Sequence, residues 1–231
     1  WTAGRENYSA QSYCMPIFRY ESILLGFLAV YKHMPCSYHE GEFCTDGIMD
    51  VQLVSSRDGR HWNRVGDRRT ILERGAPDEW DWGYLRIGNS LVPDGDVVRA
   101  YYSGWNCRHS WHALPPEGKK ISIGMATWPR DRFVGLRAGS GGGEIKLNQC
   151  QPGSELHVNA DASQGSLVAE ITENGTPLSG YEAANCVLLK DDALDHVIRW
   201  NGGQSVTLPK DRKVNVTIKL TNAEIFSLWW E

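Results

Sequence analysis

MDVQLVSSRDGRHWNRV, residues 49–65, is the stretch that decides the fold of the first part of the chain. Apolar and polar residues alternate through residues 49–56, which predicts a β-strand, and residues 61–65 predict a second strand. The intervening Ser-Arg-Asp-Gly predicts a tight turn, because Asp caps such turns and Gly tolerates positive φ. We therefore expect the charges of this turn to be solvated rather than catalytic, and Trp62 to pack between neighbouring sheets.

This strand–turn–strand unit belongs to a pattern that occurs twice. Each copy has a tight hairpin, a long loop and a second tight hairpin, which together give four predicted strands. The predicted strands are 12–20, 23–33, 49–56 and 61–65 in the first copy, and 82–92, 97–105, 121–127 and 132–136 in the second. Four-stranded units repeated in series are typical of β-propeller blades.

A glycine cluster within residues 137–145 separates this region from the rest of the chain. Neither a helix nor a strand interior favours such a cluster, so we place a domain junction near residue 141. The remainder contains about eight short strand candidates divided by turn signals, which is typical of an antiparallel β-sandwich. The predicted fold class is all-β, with two four-stranded propeller-type blades in residues 1–140 and an antiparallel β-sandwich in residues 141–231.

Charge and hydropathy argue against two classes of partner. The 24 Lys and Arg nearly balance the 28 Asp and Glu, giving a net charge of −4, so no general attraction to nucleic acid or anionic lipid is expected. The most apolar stretch, residues 23–31, has the length of a strand, whereas a membrane-spanning helix needs about 20 apolar residues. We expect neither a membrane span nor a nucleic-acid partner.

Cysteines and glycosylation sequons together favour a secreted, extracellular protein. Three sequons begin at Asn7, Asn174 and Asn215, and each is a potential glycan attachment site in a secreted chain. The even cysteine count, 6, permits disulfides.

A disulfide between Cys36 and Cys44 is the favoured pairing, because both lie in one long loop. With His33 and His39 these cysteines also have a spacing that suits zinc, but a disulfide is the preferred interpretation in a secreted chain. The other candidate pairs are Cys150–Cys186 and Cys14–Cys107. No cofactor and no metal site is predicted.

Several segments together resemble proteins related to glycoside hydrolase families 32 and 43. In the first part these are SYCMPIFRYESILLGFLAVYKH (12–33), MDVQLVSSRDGRHWNRV (49–65) and RAYYSGWNCRH (99–109). In the second part, SLVAEITENGTPLSGYEAANCVLL (166–189), HVIRWNGG (196–203) and VNVTIKLTNAEIFSLWW (214–230) resemble the β-sandwich that follows the propeller in one branch of these proteins. The resemblance implies a five-bladed β-propeller followed by a β-sandwich, and a carbohydrate-active protein.

Two blades cannot close a five-bladed propeller, so the chain resembles the C-terminal part of such a protein. The family's nucleophile aspartate lies in the first blade, in a motif such as W-x-N-D-P-N-G, and nothing in this sequence matches it or the early R-D-P motif. The family's catalytic residues therefore cannot be assigned here, and whether the chain is an enzyme stays open. The remaining blades would come from another chain or from an upstream fragment.

The predicted strand order places the long connections at one end of each blade. In a four-stranded meander, the entry to the first strand and the loop between the second and third strands share one end, while the tight turns share the other. Residues 75–83, 32–48 and 106–120 lie at the long-loop end. Because binding and catalytic residues concentrate on such loops, we expect the functional site there.

Two acids at this end are the candidate catalytic residues. Asp81 begins a predicted inner strand, where propeller glycosidases place carboxylates that protonate a leaving group or stabilise an oxocarbenium-like state. Glu79 and Glu6 are weaker alternatives. Asp50 begins another strand, and Gln52 lies on the same face two residues later, which suits a pair that contacts sugar.

Candidate substrate-binding side chains accompany the acids. Polar donors at the strand ends suit sugar hydroxyls or a carboxylate, and aromatic rings suit stacking on sugar, although most aromatic residues belong to the core. The substrate-binding set is His33, Gln52, Trp82, Tyr84, Asn106, Arg108 and His109, with Trp105 and Trp111 as further aromatic candidates.

Three functions remain open from the sequence. The chain could be the C-terminal portion of a glycosidase-like propeller that acts on or binds glycans. It could be a non-catalytic carbohydrate-binding protein such as a lectin, since the nucleophile blade is absent. It could also be a secreted structural glycoprotein that assembles through an exposed blade edge. The expected partners are carbohydrate and the chain or fragment that completes the propeller.

Overall fold

The computed structural model describes residues 10–33, 46–109, 118–206, 208–209 and 211–231. Within these residues the regular structure is β-strand apart from two short 3-10 turns, Gly66–Arg68 and Ala183–Asn185, so the all-β prediction is confirmed. The described part of the chain contains no helix with the length and apolarity that a membrane crossing needs. The chain divides into two compact units, Trp1–Trp128 and Pro129–Glu231.

The first unit is built on one nine-stranded sheet, in which the path of neighbouring strands is β1-β3-β4-β7-β8-β9. β2 also pairs with β3, and β5 and β6 pair with β4. The strands are β1 (Ala10–Cys14), β2 (Ile17–Tyr20), β3 (Ile23–His33), β4 (Gly47–Ser56), β5 (Asn63–Arg64), β6 (Thr70–Leu72), β7 (Tyr84–Asp94), β8 (Val97–Trp105) and β9 (Ile121–Pro129).

The predicted strand 12–20 of the first copy is divided into β1 and β2, which both pair with β3. The first copy otherwise forms an antiparallel meander around β3 and β4. These two strands pair continuously from Leu24↔Ser56 to His33↔Gly47. Both faces of β3 are covered: Tyr31 belongs to an apolar cluster on one face, and Val30 to a second cluster on the other. Burial on both sides explains why residues 23–31 are almost continuously apolar instead of alternating.

The turn at Ser56–Gly59 is held by its own side chains, as the sequence predicts. Ser56 Oγ accepts a hydrogen bond from the N–H of Gly59 (2.9 Å). Asp58 Oδ1 accepts hydrogen bonds from the backbone N–H groups of Arg60 (2.9 Å) and His61 (2.8 Å). The His61 side chain, together with these N–H groups, lowers the pKa of Asp58 well below its usual range. Trp62 packs against the apolar cluster around Val30, so this charged stretch is a turn with an apolar anchor.

The second copy differs from the prediction in two respects. β7 pairs in parallel with β4 at Met49↔Tyr84, so the two copies share one sheet. The predicted fourth strand, 132–136, does not form. These residues belong to the second unit, where the Arg132 guanidinium binds Asn159 Oδ1 (2.8 Å) and Asp192 Oδ1 (2.5 Å). These bonds hold the segment in a turn, and only its last residue joins a strand.

The division between the units falls earlier than the predicted junction near residue 141. The short strand β10 (Leu136–Ala138) pairs with β17 (Ala223–Trp230) in the second unit. Gly139 and Gly142 then form a turn, in which the Gly142 N–H donates to the Gly139 carbonyl (3.0 Å) and Gly142 has a φ of 74°. The glycine cluster is therefore a turn between strands of the second unit.

The second unit consists of two four-stranded antiparallel sheets that share one core. Their strand orders are β10-β17-β12-β15 and β11-β16-β13-β14. Leu156 and Val158 from the first sheet and Leu167 and Ile218 from the second are fully buried in the same cluster, which is the arrangement of a β-sandwich. The remaining strands are β11 (Gly143–Cys150), β12 (Leu156–Asp161), β13 (Ser166–Glu173), β14 (Thr176–Pro177), β15 (Asp192–Ile198) and β16 (Val214–Thr221).

Candidate functional site

Strand alternation sorts the predicted site residues onto two faces of the first unit's sheet. Met49 and Tyr84 point to the same side, because they are direct partners and share a core cluster. Asp50, next to Met49, therefore points to the opposite side. Asp81 lies on that opposite side as well, because it packs against Gly104 on the side where a Gly104 side chain would point. Gly104 pairs with the residue that follows Tyr84 in β7, and that residue points away from the Tyr84 side. We call the side with Asp50 and Asp81 the acid face, and the side with Tyr84 the aromatic face.

Asp50 is a buried carboxylate with a cation on each oxygen. Its side chain bonds to the Lys32 ammonium through Oδ2 and to Arg74 Nε through Oδ1 (2.8 Å), and the residue is only 7% exposed. Burial alone would raise the pKa of Asp50, but the hydrogen bonds from Lys32 and Arg74 outweigh it and hold the pKa below its usual range. Such a group stays ionised at neutral pH and is unsuited to donating a proton.

Arg74 connects the two acids of the acid face. Besides Asp50, it donates from Nη1 to the carbonyl oxygen of Trp82 (2.6 Å), and Trp82 directly follows Asp81 in the chain. Trp82 thus contributes a backbone acceptor to the site. The guanidinium fixes the segment before β7 against the start of β4, so it determines where Asp81 is held.

Asp81 lies in a close-packed niche beside an exposed indole. It is 7% exposed and accepts a hydrogen bond at Oδ2 from Tyr102 Oη (2.9 Å). Burial, together with Asp81, raises the pKa of Tyr102 to about 12, so the phenol remains a donor. Trp80 stacks on Tyr102 with ring centroids 5.6 Å apart and is 39% exposed. A carboxylate and an accessible aromatic ring are therefore adjacent.

Close approach at Gly104 is what makes this niche possible. A Cβ at that position would lie 2.6 Å from the ring of Trp80 and would also collide with Asp81. Glu79, the weaker candidate acid, instead caps the preceding turn: its Oε2 accepts from the N–H of Ala76 (2.9 Å). Of the two candidate acids Glu79 and Asp81, it is Asp81 that bonds to Tyr102 and lies beside Trp80.

Three predicted binding residues have structural partners. Gln52 Oε1 accepts from the Arg64 guanidinium. The Asn106 amide closes a loop, donating to the Gly118 carbonyl (3.0 Å) and accepting from the Lys120 N–H (2.7 Å). Arg108 forms an ion pair with the buried Asp46 (3.0 Å). Gln52 is therefore bound within the sheet, between β4 and β5, whereas Asn106 and Arg108 hold the segment that follows β8.

The aromatic face gathers two of the predicted histidines. The His109 ring lies 5.3 Å from both Tyr13 and Tyr31 and 5.5 Å from Tyr84, measured between centroids. His33 packs 4.7 Å from Tyr31. The His109 N–H also donates to the Gly47 carbonyl (2.8 Å). His33, His109 and Tyr84 thus come together as the strand order predicts, but away from the two acids.

Arg86 is a residue of the aromatic face that sequence reasoning missed. Its Cζ lies 4.9 Å from the Tyr13 ring centroid, 5.6 Å from Trp105 and 5.9 Å from Tyr84, within the range of cation–π contact. Burial raises the pKa of Tyr84 to about 12, with Arg86 opposing the shift. The signal in the sequence is the spacing, because Arg86 follows Tyr84 by two residues and shares its face.

The described cysteines are free thiols: Cys14, Cys107, Cys150 and Cys186. The Cys186 Sγ accepts from the N–H of Ala169 in β13 (3.2 Å), whereas Cys150 pairs with Val214 at the start of β16. Neither predicted pair, Cys150–Cys186 or Cys14–Cys107, is formed.

Several residues to which the sequence analysis gave a role lie outside the described part of the chain, namely Glu6, Asn7, Cys36, His39, Cys44 and Trp111.

No family model, curated protein or solved structure matches this chain. A functional assignment rests on the geometry of its own side chains.

Proposed function

We propose that this protein binds carbohydrate, and that the glycan site lies on the acid face around Asp81 and Trp80. The observation that carries the proposal is the pairing of a tyrosine-held carboxylate with a stacked, partly exposed indole. The C–H face of a sugar ring stacks on such an indole, and sugar hydroxyls donate to a carboxylate. Tyr102 fixes both partners, since it bonds Asp81 and stacks on Trp80.

The chemistry of Asp50 favours binding over hydrolysis. Most glycosidases need two carboxyl groups, one of which donates a proton while the other acts as base or nucleophile. Asp50 is paired with Lys32 and Arg74 on both oxygens, so it serves better as the anchor of Arg74 than as an acid. A lectin-like role for this chain therefore agrees best with the side chains, and hydrolysis through Asp81 is the alternative to test.

We further propose that the first unit represents two blades of a glycosidase-like propeller that another chain or an upstream segment completes. The antiparallel meander around β3 and β4 supports this interpretation. Along β9, Ile121, Ile123 and Met125 are 62%, 77% and 51% exposed, and alternation places them on one side of the strand. Such an apolar strip suits burial against a further blade.

We also propose that the protein is secreted, and the position of one glycosylation sequon supports this proposal. The Asn174 sequon lies at an exposed turn between β13 and β14, with Asn174 at a φ of 49° and Gly175 at 82°. That position is accessible to a glycan. A secreted location would also be consistent with a protein that binds extracellular glycans.

A glycan array followed by calorimetry tests the proposal. We expect the wild-type protein to bind a defined set of glycans, and Trp80→Ala and Asp81→Asn each to weaken the affinity at least about tenfold, which corresponds to about 1.4 kcal/mol. Tyr101→Ala is the matched control, because Tyr101 is an exposed aromatic residue (53%) on the other face of the sheet. The assignment is wrong if all three variants lose glycan affinity equally, or if neither Trp80→Ala nor Asp81→Asn changes the affinity. Sugar release that Asp81→Asn abolishes would establish the hydrolytic alternative.

A further inference from the structure

Three metal-ligating side chains meet on the outer face of the sheet β10-β17-β12-β15 in the second unit. Glu155 precedes β12 and Glu231 follows β17, and the Glu231 N–H donates to the Glu155 carbonyl (3.0 Å), so the two residues lie opposite each other. His157 lies two residues after Glu155 and therefore points to the same face. One ligand atom from each of the three residues lies within 4.8 Å of the other two.

His157 is held in an orientation that leaves one ring nitrogen unused. It is 4% exposed, and its Nδ1 lies 2.6 Å from Asp195 Oδ1. Its Nε2 is buried and has no hydrogen-bond partner among the described residues. That nitrogen lies 3.8 Å from Glu155 Oε2 and 3.7 Å from Glu231 Oε2, too far for hydrogen bonds. The ring also stacks on Trp229, with centroids 5.2 Å apart.

The charges around His157 are unbalanced. The carboxylates of Glu155, Asp195 and Glu231 surround the imidazole, and the cation that contacts this group within the described residues is Arg199, 3.2 Å from Glu155 Oε1. The three carboxylates carry three negative charges, and the guanidinium supplies one positive charge. A divalent cation at Nε2 would neutralise the remaining two.

We propose that Glu155, His157 and Glu231 bind a divalent transition-metal ion of the Zn²⁺ type. Zinc binds imidazole nitrogen and carboxylate oxygen at about 2.0–2.2 Å, which puts tetrahedral ligand atoms about 3.4 Å apart. The distances from Nε2 to the carboxylates of Glu155 and Glu231, 3.8 and 3.7 Å, are close to this value. Small side-chain rotations would therefore bring the three ligands to one ion.

The surroundings of the three ligands suit a metal site as well. Asp195 on Nδ1 is the partner that usually orients a metal-binding histidine and leaves its other nitrogen free to coordinate. The Glu231 side chain is 62% exposed, which provides access from solvent and a fourth position for water. An imidazole with two carboxylates favours zinc-type ions over Mg²⁺ or Ca²⁺, which prefer oxygen ligands alone.

Calorimetric titration of the full chain with Zn²⁺ tests this site, with Mg²⁺ as the comparison ion. We expect saturable Zn²⁺ binding that Glu231→Gln and His157→Gln each weaken at least about 100-fold, and that Asp195→Asn weakens about 10- to 100-fold. Glu231→Gln lies at an exposed position, so it tests the ligand without disturbing the core. Circular dichroism of each variant verifies the fold.

His196→Gln is the matched control. His196 is a second buried histidine on this sheet, with Nε2 3.4 Å from the Ala160 carbonyl and Nδ1 3.6 Å from Asp191. Its replacement should leave the Zn²⁺ affinity unchanged.

A second set of zinc ligands could come from His33, Cys36, His39 and Cys44, so all titrations use a Cys36→Ser/Cys44→Ser background. Loss of binding in Glu231→Gln with retention in His196→Gln supports the site. The proposal is wrong if this background protein binds no Zn²⁺, or if Glu231→Gln and His157→Gln bind it within about twofold of the background.

Discussion

Replacing Asp50 with Asn should destabilise the first unit strongly. The change leaves the Lys32 ammonium and the Arg74 guanidinium without their shared anion. A charge-assisted hydrogen bond contributes about 1.5–3 kcal/mol, but the Lys32 side chain is 46% exposed and can turn to solvent, so its share is discounted. We therefore expect a loss of about 2–4 kcal/mol, most of it from Arg74. Urea denaturation followed by tryptophan fluorescence measures the change.

Asp94→Asn is the control for this experiment. Asp94 forms an ion pair with Arg99 in which the side chains are 59% and 33% exposed, and such surface pairs contribute at most about 1 kcal/mol. A destabilisation by Asp50→Asn below about 0.5 kcal/mol, or no larger than that of the control, would refute the interpretation of Asp50 as a structural anion.

The pH dependence of stability follows from the same ion pairs. The pKa of Asp50 is lower in the folded protein than in the unfolded chain, where it is about 3.9. Its contribution is therefore complete above that value and is lost as the pH falls towards the folded-state pKa. In Asp50→Asn the acid-induced loss of stability should be smaller than in the wild type, by about the difference measured at neutral pH.

Other substitutions test the niche and the exposed turn. Gly104→Ala should cost about 1–3 kcal/mol and weaken glycan binding, because the added methyl group collides with Asp81. Gly141→Ala, where a Cβ meets nothing within 4 Å, should do neither, and equal behaviour of the two variants would contradict the packing described. In a secretory expression host, Asn174 should carry a glycan and Asn215 should not, because the Asn215 side chain accepts from the Gln149 N–H (2.9 Å) in a central strand. Peptide mass spectrometry decides this, and a glycan on Asn215 would be the contrary result.

Local patterns in the sequence predict the strands, because alternation and turn residues act over a few positions. The turn at Ser56–Gly59 and the long strand β3 agree with such patterns. The partner of residues 132–136 could not be predicted in this way, since Arg132 binds Asp192, 60 residues later. The resulting shift of the unit boundary depends on contacts that only the folded chain reveals.

Local patterns are likewise insufficient to predict the roles of residues in the candidate site. Its acids can be selected from their positions at strand starts, but their roles depend on partners that are distant in sequence. Asp50 meets Arg74 24 positions later, and this contact changes it from a candidate acid to an anchor. In the second unit, Glu155 and His157 have the spacing of neighbours on one strand face, whereas Glu231 joins them only through the pairing of β12 with β17.

The most direct test of glycan binding at Asp81 and Trp80 is an NMR titration of ¹⁵N-labelled protein with the best glycan from the array. The ten tryptophans give separate indole N–H signals, and Trp80→Phe assigns the relevant one. We predict that the Trp80 indole signal shifts most, in a saturable manner, and that Asp81→Asn suppresses the shift. A shift confined to Trp105 on the aromatic face, or the absence of any indole shift with a glycan that binds, would contradict the proposed site.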